Sequence, residues 1–276
     1  MSSRRRGRCT VPAEQTSKPR TEDLPVLTEI RDQTLAIRLN RPRKYNAFNS
    51  EMLQLVTSAL LDADADPAVR AVIITGNGPA FAAGADIGEY ASADSEEFQA
   101  FTTRANAMCD TIAGLRLPVI AAVHGLALGG GFEVVLSCDL VVADSTASFG
   151  LPEISLGLMP GWGGTQRLTR HVGINRAKEM IMTGARISGE RAHALGIVTH
   201  VSDDGTALLR AQHIADELAR GPGHAITAIK AAVGCTTTTA GFTTEQQHLH
   251  ALFNTADARE GIRAFVEKRP AEFGAR

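Results

Sequence analysis

The stretch PVIAAVHGLALGGGFEVVLSCDLVVADSTASFGLPE, Pro118 to Glu153, decides the fold. Val119 to Val123 is a short apolar run of the kind that forms a fully buried strand. A turn of small residues leads to three glycines, Gly129, Gly130 and Gly131, and then to a helical pattern that carries Glu133. Asp139 to Ala143 and Ala147 to Gly150 read as two further short strands, which deliver Glu153 just after Pro152.

The same order recurs upstream. Ala71 to Thr75 is another continuous apolar strand, followed by the loop GNGPAFAAGAD. In it Ala82, Ala83, Gly84 and Ala85 let backbone approach a ligand closely, because no large side chain intervenes. A long helical stretch from about Ser95 to Leu115 closes the unit. Strand, small-residue loop and helix repeated in this way predict an α/β fold of stacked ββα turns.

Further out, Thr34 to Asn40 alternates apolar and polar residues like a half-buried strand. It ends in the loop RPRKYNAFN, with Arg41, Arg43 and Lys44 beside Tyr45, either solvated loop charge or a site for a phosphate-rich ligand. Ser50 is placed to cap a helix with Met52, Leu55, Val56, Ala59 and Leu60 on one face. Beyond Pro160 come GWGGTQRL and helical patterns over Ile174 to Thr183 and Ser188 to Leu195, the latter stopped by Gly196. Amphipathic helices, broken near Gly221 to Gly223 and at Gly241, fill the remainder and suit an oligomerisation element. The expected division is an Arg-rich disordered tail over 1–25, a ββα core over 26–200 and a helical region over 201–276.

With 276 residues, 44% of them hydrophobic, the chain can bury a full core. A net charge of -2 argues against nucleic acid or an anionic membrane as a partner. Cys9, Cys109, Cys138 and Cys235 are widely spaced and form no C-x-x-C pair, so reduced thiols and a cytoplasmic location are expected. No apolar run approaches the roughly 18 residues of a membrane span. The N-terminal segment lacks the apolar core of a secretory signal, and Glu14, Glu22, Asp23 and its prolines fit a transit peptide poorly.

Free N–H groups and the positive end of a helix dipole converge after Gly129, which favours negative charge there. If the Gly130 amide faces that of Ala85, the two make an oxyanion hole, and a thioester carbonyl developing enolate character is the fitting ligand. Glu133 in the first helical turn is expected to be ionised and to act as a base. Glu153, among Leu151, Ile154, Leu156, Leu158, Met159 and Trp162, is expected to stay protonated and act as an acid. Such a pair suits adding water across a double bond. The alternatives are a dipole-stabilising glutamate and a surface loop charge. His124 is better placed for packing or hydrogen bonding than for catalysis, and no histidine or cysteine spacing indicates a metal. The glycine run lacks the lysine of a phosphate-binding loop and the spacing of a dinucleotide fingerprint, and no G-x-S-x-G elbow is present.

LNRPRKYNAFN, FAAGADI, PVIAAVHGLALGGGFE, CDLVVA, FGLPEISLGLMPGWGGTQRLTRHVG, TGARISGERAHALGIV and REGIRAFVEKRPAEF together resemble the enoyl-CoA hydratase (crotonase) family, from about residue 27 to the end. The resemblance implies a spiral of ββα turns with a C-terminal helical trimerisation region. It implies Ala85 and Gly130 as oxyanion donors, and Glu133 and Glu153 as the catalytic pair of a hydratase. Arg43, Lys44, Tyr45, Phe253, Lys268 and the backbone at Ala83, Asp86 and Ile87 are implied to bind coenzyme A, which is part of the substrate; no separate cofactor is expected. A homotrimer or dimer of trimers is the expected assembly. Trp162 and Phe132 are bulkier than is frequent in the family and are expected to shape the acyl pocket. A carnitinyl-CoA type dehydratase, a Δ3,Δ2-isomerase using Glu153 alone, and a non-catalytic RNA-binding scaffold are the other readings that this likeness allows.

Overall fold

The computed structural model describes residues 24–234 together with 255–257, 260, 264 and 267–274. The expectations for the tail over 1–23 and for Phe253 lie outside the described residues.

Two sheets of unequal size carry the fold. The larger has six strands in the order β1 (Val26–Arg31), β2 (Thr34–Leu39), β3 (Ala71–Gly76), β5 (Val119–Val123), β7 (Leu140–Asp144) and β10 (His200–Ser202). Strands β1 and β2 form an antiparallel hairpin whose turn residues, Asp32 and Gln33, both have positive φ. Every later neighbour in that sheet is parallel. The smaller sheet has the order β4 (Ala80–Ala82), β6 (Leu126–Leu128), β8 (Ser148–Gly150) and β9 (Ile187–Ser188). Its first three strands are parallel.

Each turn of the chain therefore lays one strand in the large sheet and the next in the small one, before a helix returns it. β3 and β4 precede α2 (Ile87–Ser92) and α3 (Ser95–Gly114), and β5 and β6 precede α4 (Gly130–Val135). β7 and β8 precede α5 (Gly164–Val172), α6 (Ile174–Thr183) and α7 (Gly189–Ala194). The recurrence read from the apolar runs is this spiral. Strands β7 and β8 each begin one residue later than the expected ranges. The cap of α1 (Ser50–Ala65) is Asn49, whose side chain accepts from Met52 N at 2.9 Å, rather than Ser50, which is the first helical residue.

One face of the large sheet packs against α1 and α3 through Ile37, Leu39, Met52, Leu60, Met108 and Ile112, all fully buried. The other face, Ala71, Ile73, Ile120, Ala122 and Val142, is covered by Ala207, Ala211, Ile214 and Ala215 of α8 (Ala207–Arg220). Thus the first helix of the 201–276 stretch is one layer of the core. α9 (Gly223–Gly234) follows it, and Lys230 Nζ donates to Ile112 O and Leu117 O at 3.1 Å and pairs with Asp139 at 2.7 Å.

The small sheet positions the site. Its parallel strands β4, β6 and β8 lie side by side, so the segments leaving their C-terminal ends emerge together. Those segments are Ala83 to Asp86, Gly129 with Gly130, and Leu151 to Glu153. One buried side chain ties this corner to the loop after β2. Asn46 accepts from Arg41 N at 2.8 Å and donates to Asn77 O at 2.9 Å and Ala80 O at 2.7 Å. Removing it leaves two carbonyls without their donor, at a position with φ of 55°. Asn46→Ala is expected to lower stability by about 2 to 4 kcal/mol, read from denaturant unfolding.

Candidate active site

A cavity of about 500 Å³ opens where the three segments meet. Ala83, Gly84, Ala85, Gly129, Gly130, Glu133, Glu153 and Trp162 line it, with Ile87, Tyr90 and Phe98 from the helices after β4. Leu156, Leu158 and Met159 line it too and remain exposed.

Close backbone approach explains the glycines. A Cβ on Gly84 would sit 3.4 Å from Gly130 N, and one on Gly129 would sit 3.2 Å from Glu153 Oε1. A Cβ on Gly131 would overlap Ala82 O, and one on Gly130 would overlap the Trp162 ring. Phe48 N donates to Gly84 O and Asp86 N to Phe48 O, both at 2.7 Å, which fixes the first loop and leaves Ala85 N directed elsewhere. Gly130 is the first residue of α4 and has no carbonyl acceptor within the helix. Among the described residues neither amide donates to another protein group.

Glu133 is 1% exposed. Its Oε1 accepts from Trp162 N at 2.8 Å and Gly164 N at 2.7 Å. Both bonds fall on one oxygen, so Oε2 is the atom left for a ligand. Burial pushes its pKa up to about 7; the Gly164 N–H opposes this, the Glu153 carboxylate adds to it, and Trp162 N–H and Arg167 oppose it. The expectation of an ordinary ionised base is corrected here, because in a helix of six residues the dipole is outweighed by desolvation. Glu153, in the 3-10 turn Pro152–Leu156, is also raised by burial, and its Oε2 is buried without a hydrogen-bond partner. The two carboxylates thus share one direction of shift rather than opposite ones.

The other expected residues divide. Trp162 is a buried wall of the cavity, edge-on to Phe48 at 5.8 Å and tilted against Phe101 at 6.0 Å. Phe132 does not line the cavity; its ring is fully buried against Phe149 at 5.3 Å, on the side of α4 facing the core. Arg43 and Lys44, in the 3-10 turn Pro42–Lys44, and Tyr45 are exposed outside the cavity, joined to it through Ala83 N donating to Tyr45 O at 2.9 Å. The Asp86 side chain caps α2 and pairs with Arg41 at 2.8 Å, which holds its carboxyl below the ordinary value. Lys268 is exposed. His124 Nε2 donates to Gly78 O at 2.9 Å, the hydrogen-bonding role expected of it.

Tyr90 was not foreseen from the sequence. Its ring packs edge-on against Phe98 at 4.9 Å and Phe101 at 5.4 Å. Burial raises its hydroxyl to about 12, opposed by a hydrogen bond with the Trp162 side chain and assisted by both glutamates. Nothing in its sequence surroundings separates it from an ordinary helix aromatic. Among the described residues no group of three or more potential ligands is arranged for a metal, and no helix is long and apolar enough to cross a membrane.

A family model described as enoyl-CoA hydratase/isomerase matches residues 29–276. The chain belongs to the enoyl-CoA hydratase (crotonase) family. It is 42% identical over 247 residues to a probable enoyl-CoA hydratase of Mycobacterium bovis, covering 88% of this chain and 95% of that protein. It is 37% identical over 252 residues to the short-chain-enoyl-CoA hydratase of Clostridium acetobutylicum, covering 90% and 96%. The crystal structure of an enoyl-CoA hydratase from Bacillus anthracis superposes with a TM-score of 0.87 at 34% identity, covering 91% of this chain and 99% of that one. The ββα spiral is therefore the crotonase fold.

The raised Glu133 has a consequence for stability. Folding lifts its pKa from 4.5 to about 7, so folding favours the protonated form. That contribution is complete below about 4.5 and is lost as pH rises through about 7. Glu133→Gln is expected to unfold at a higher temperature than the parent at about pH 8, by on the order of 3 kcal/mol, with the gap closing toward about pH 5. Thermal scans at the two pH values check this.

Proposed function

We propose that this protein is an enoyl-CoA hydratase that adds water reversibly across the 2,3 double bond of trans-2-enoyl-CoA thioesters. The observation that carries the reading is the meeting, in one cavity, of a buried and a half-buried carboxylate with two unpaired amides. The thioester oxygen lies between Ala85 N and Gly130 N, where developing enolate charge is met by donors already in place. Glu133 Oε2 takes a proton from water as its oxygen attacks C3, and Glu153 gives a proton to C2. A proton passing from Glu133 to Glu153 through solvent restores the starting state. With Glu133 titrating near 7, an ionised base is available at neutral pH, while burial favours the protonated form of Glu153.

Arg43, Lys44 and Tyr45 with the backbone at Ala83, Asp86 and Ile87 bind the coenzyme A portion, joined by Lys268 and Phe253. The exposed basic turn beside the cavity supports this. Coenzyme A arrives as part of the substrate, and no separate cofactor is required. Trp162 closes the acyl end of the cavity. A homotrimer or dimer of trimers in the cytoplasm completes the reading.

Purified protein is expected to bleach the conjugated-thioester absorbance of crotonyl-CoA; no turnover of short or medium enoyl-CoAs by the parent enzyme removes the proposal. Glu133→Gln and Glu153→Gln are each expected to lower kcat by about 10²-fold or more. An isomerase working through Glu153 alone would tolerate the first change. Trp162→Ala is expected to shift kcat/KM toward longer acyl chains, measured across a chain-length series.

A further inference from the structure

Arg167 stands in the first turn of α5, where the positive end of the helix dipole disfavours a cation. Its side chain nevertheless folds back over that end and is largely buried, at 14% exposure. Nη1 donates to Trp162 O at 2.7 Å, and Nη2 donates to Asp110 Oδ1 on α3 at 2.6 Å. Room for this comes from Gly163, whose φ is +99° and on which a Cβ would overlap Nη1.

The Trp162 carbonyl belongs to the peptide between the two amides, Trp162 N–H and Gly164 N–H, that grip Glu133 Oε1. Holding that middle carbonyl fixes the turn and so aims both neighbouring N–H groups. We infer that Arg167 is a positioning residue for Glu133: anchored on Asp110, it locks the 162–164 turn and supplies a positive charge that favours the ionised carboxylate. The inference rests on the reading of Glu133 as the group that activates water.

The groups that act electrostatically with Glu133 come from every element around it. They are Glu153 from the turn after β8, Tyr90 from α2, Cys109 from α3 and Arg167 from α5. Asp110, also on α3, is tied up with Arg167. Of these only Arg167 carries positive charge, so its loss raises the carboxyl further.

The test is the pH dependence of crotonyl-CoA hydration in Arg167→Met, Arg167→Lys, Asp110→Asn and, as control, Glu133→Gln. Arg167→Met is expected to lower kcat about 10- to 100-fold near neutral pH with KM within about 3-fold. Its acid limb moves to higher pH, so the deficit shrinks in alkaline buffer. Arg167→Lys keeps the charge and loses the fork, so its acid limb stays near that of the parent while kcat falls less. Asp110 is 65% exposed, so Asp110→Asn leaves folding intact and moves the limb in the same direction by less; it decides the matter if Arg167→Met does not fold. An acid limb unmoved in both Arg167→Met and Asp110→Asn overturns the inference while leaving Glu133 as the base. Full hydration by Glu133→Gln overturns the reading beneath it.

Discussion

Everything in this site depends on keeping one carboxylate, that of Glu133, out of water. An isolated buried carboxylate is costly, and the chain offsets the cost with two backbone N–H bonds at 2.8 and 2.7 Å rather than with a contacting cation. The offset is incomplete, which is why the group titrates near neutrality. A fully satisfied carboxylate would sit well below that range and make a weaker base. Gly130 and Gly164 follow from this requirement, since a Cβ on the first would overlap the Trp162 ring and one on the second would overlap Glu133. Without them α4 and the start of α5 could not come close enough for backbone to reach the glutamate.

The small parallel sheet supplies the geometry. Because β4, β6 and β8 are adjacent and parallel, their C-terminal ends deliver an amide loop, a glycine step and Glu153 to one cavity. The first loop is held independently, by Phe48 bridging to it and by the pair of Arg41 and Asp86. Aromatic packing of Trp162 on Phe48 and Phe101 then joins that loop region to α3 and to the turn before α5. The site is thus a meeting of rigid elements, which suits chemistry that relies on donors fixed before the substrate arrives.

Much of this was legible in the chain. Apolar runs at Ala71 to Thr75 and Val119 to Val123 read as buried strands, and the small residues at 82–85 and 129–131 announced close backbone approach. What failed to show was anything set by contacts distant in sequence. The first-turn position of Glu133 suggested stabilisation by the dipole, yet its true environment is made by residues 29 and 31 positions later. Phe132, next to Glu133, is turned by the helix onto a different face, into Phe149 rather than the cavity. Tyr90 and Arg167 looked like ordinary helix residues, because their roles come from α3 and the 162–164 turn folding against them.

The claim that burial sets the working charge state of Glu133 can be read directly from its carboxyl infrared band, obtained as the difference between the parent enzyme and Glu133→Gln over a pH series. The account predicts a protonated carboxyl C=O band that disappears with a midpoint near 7. A midpoint near 4.5, the ordinary carboxyl value, would contradict it.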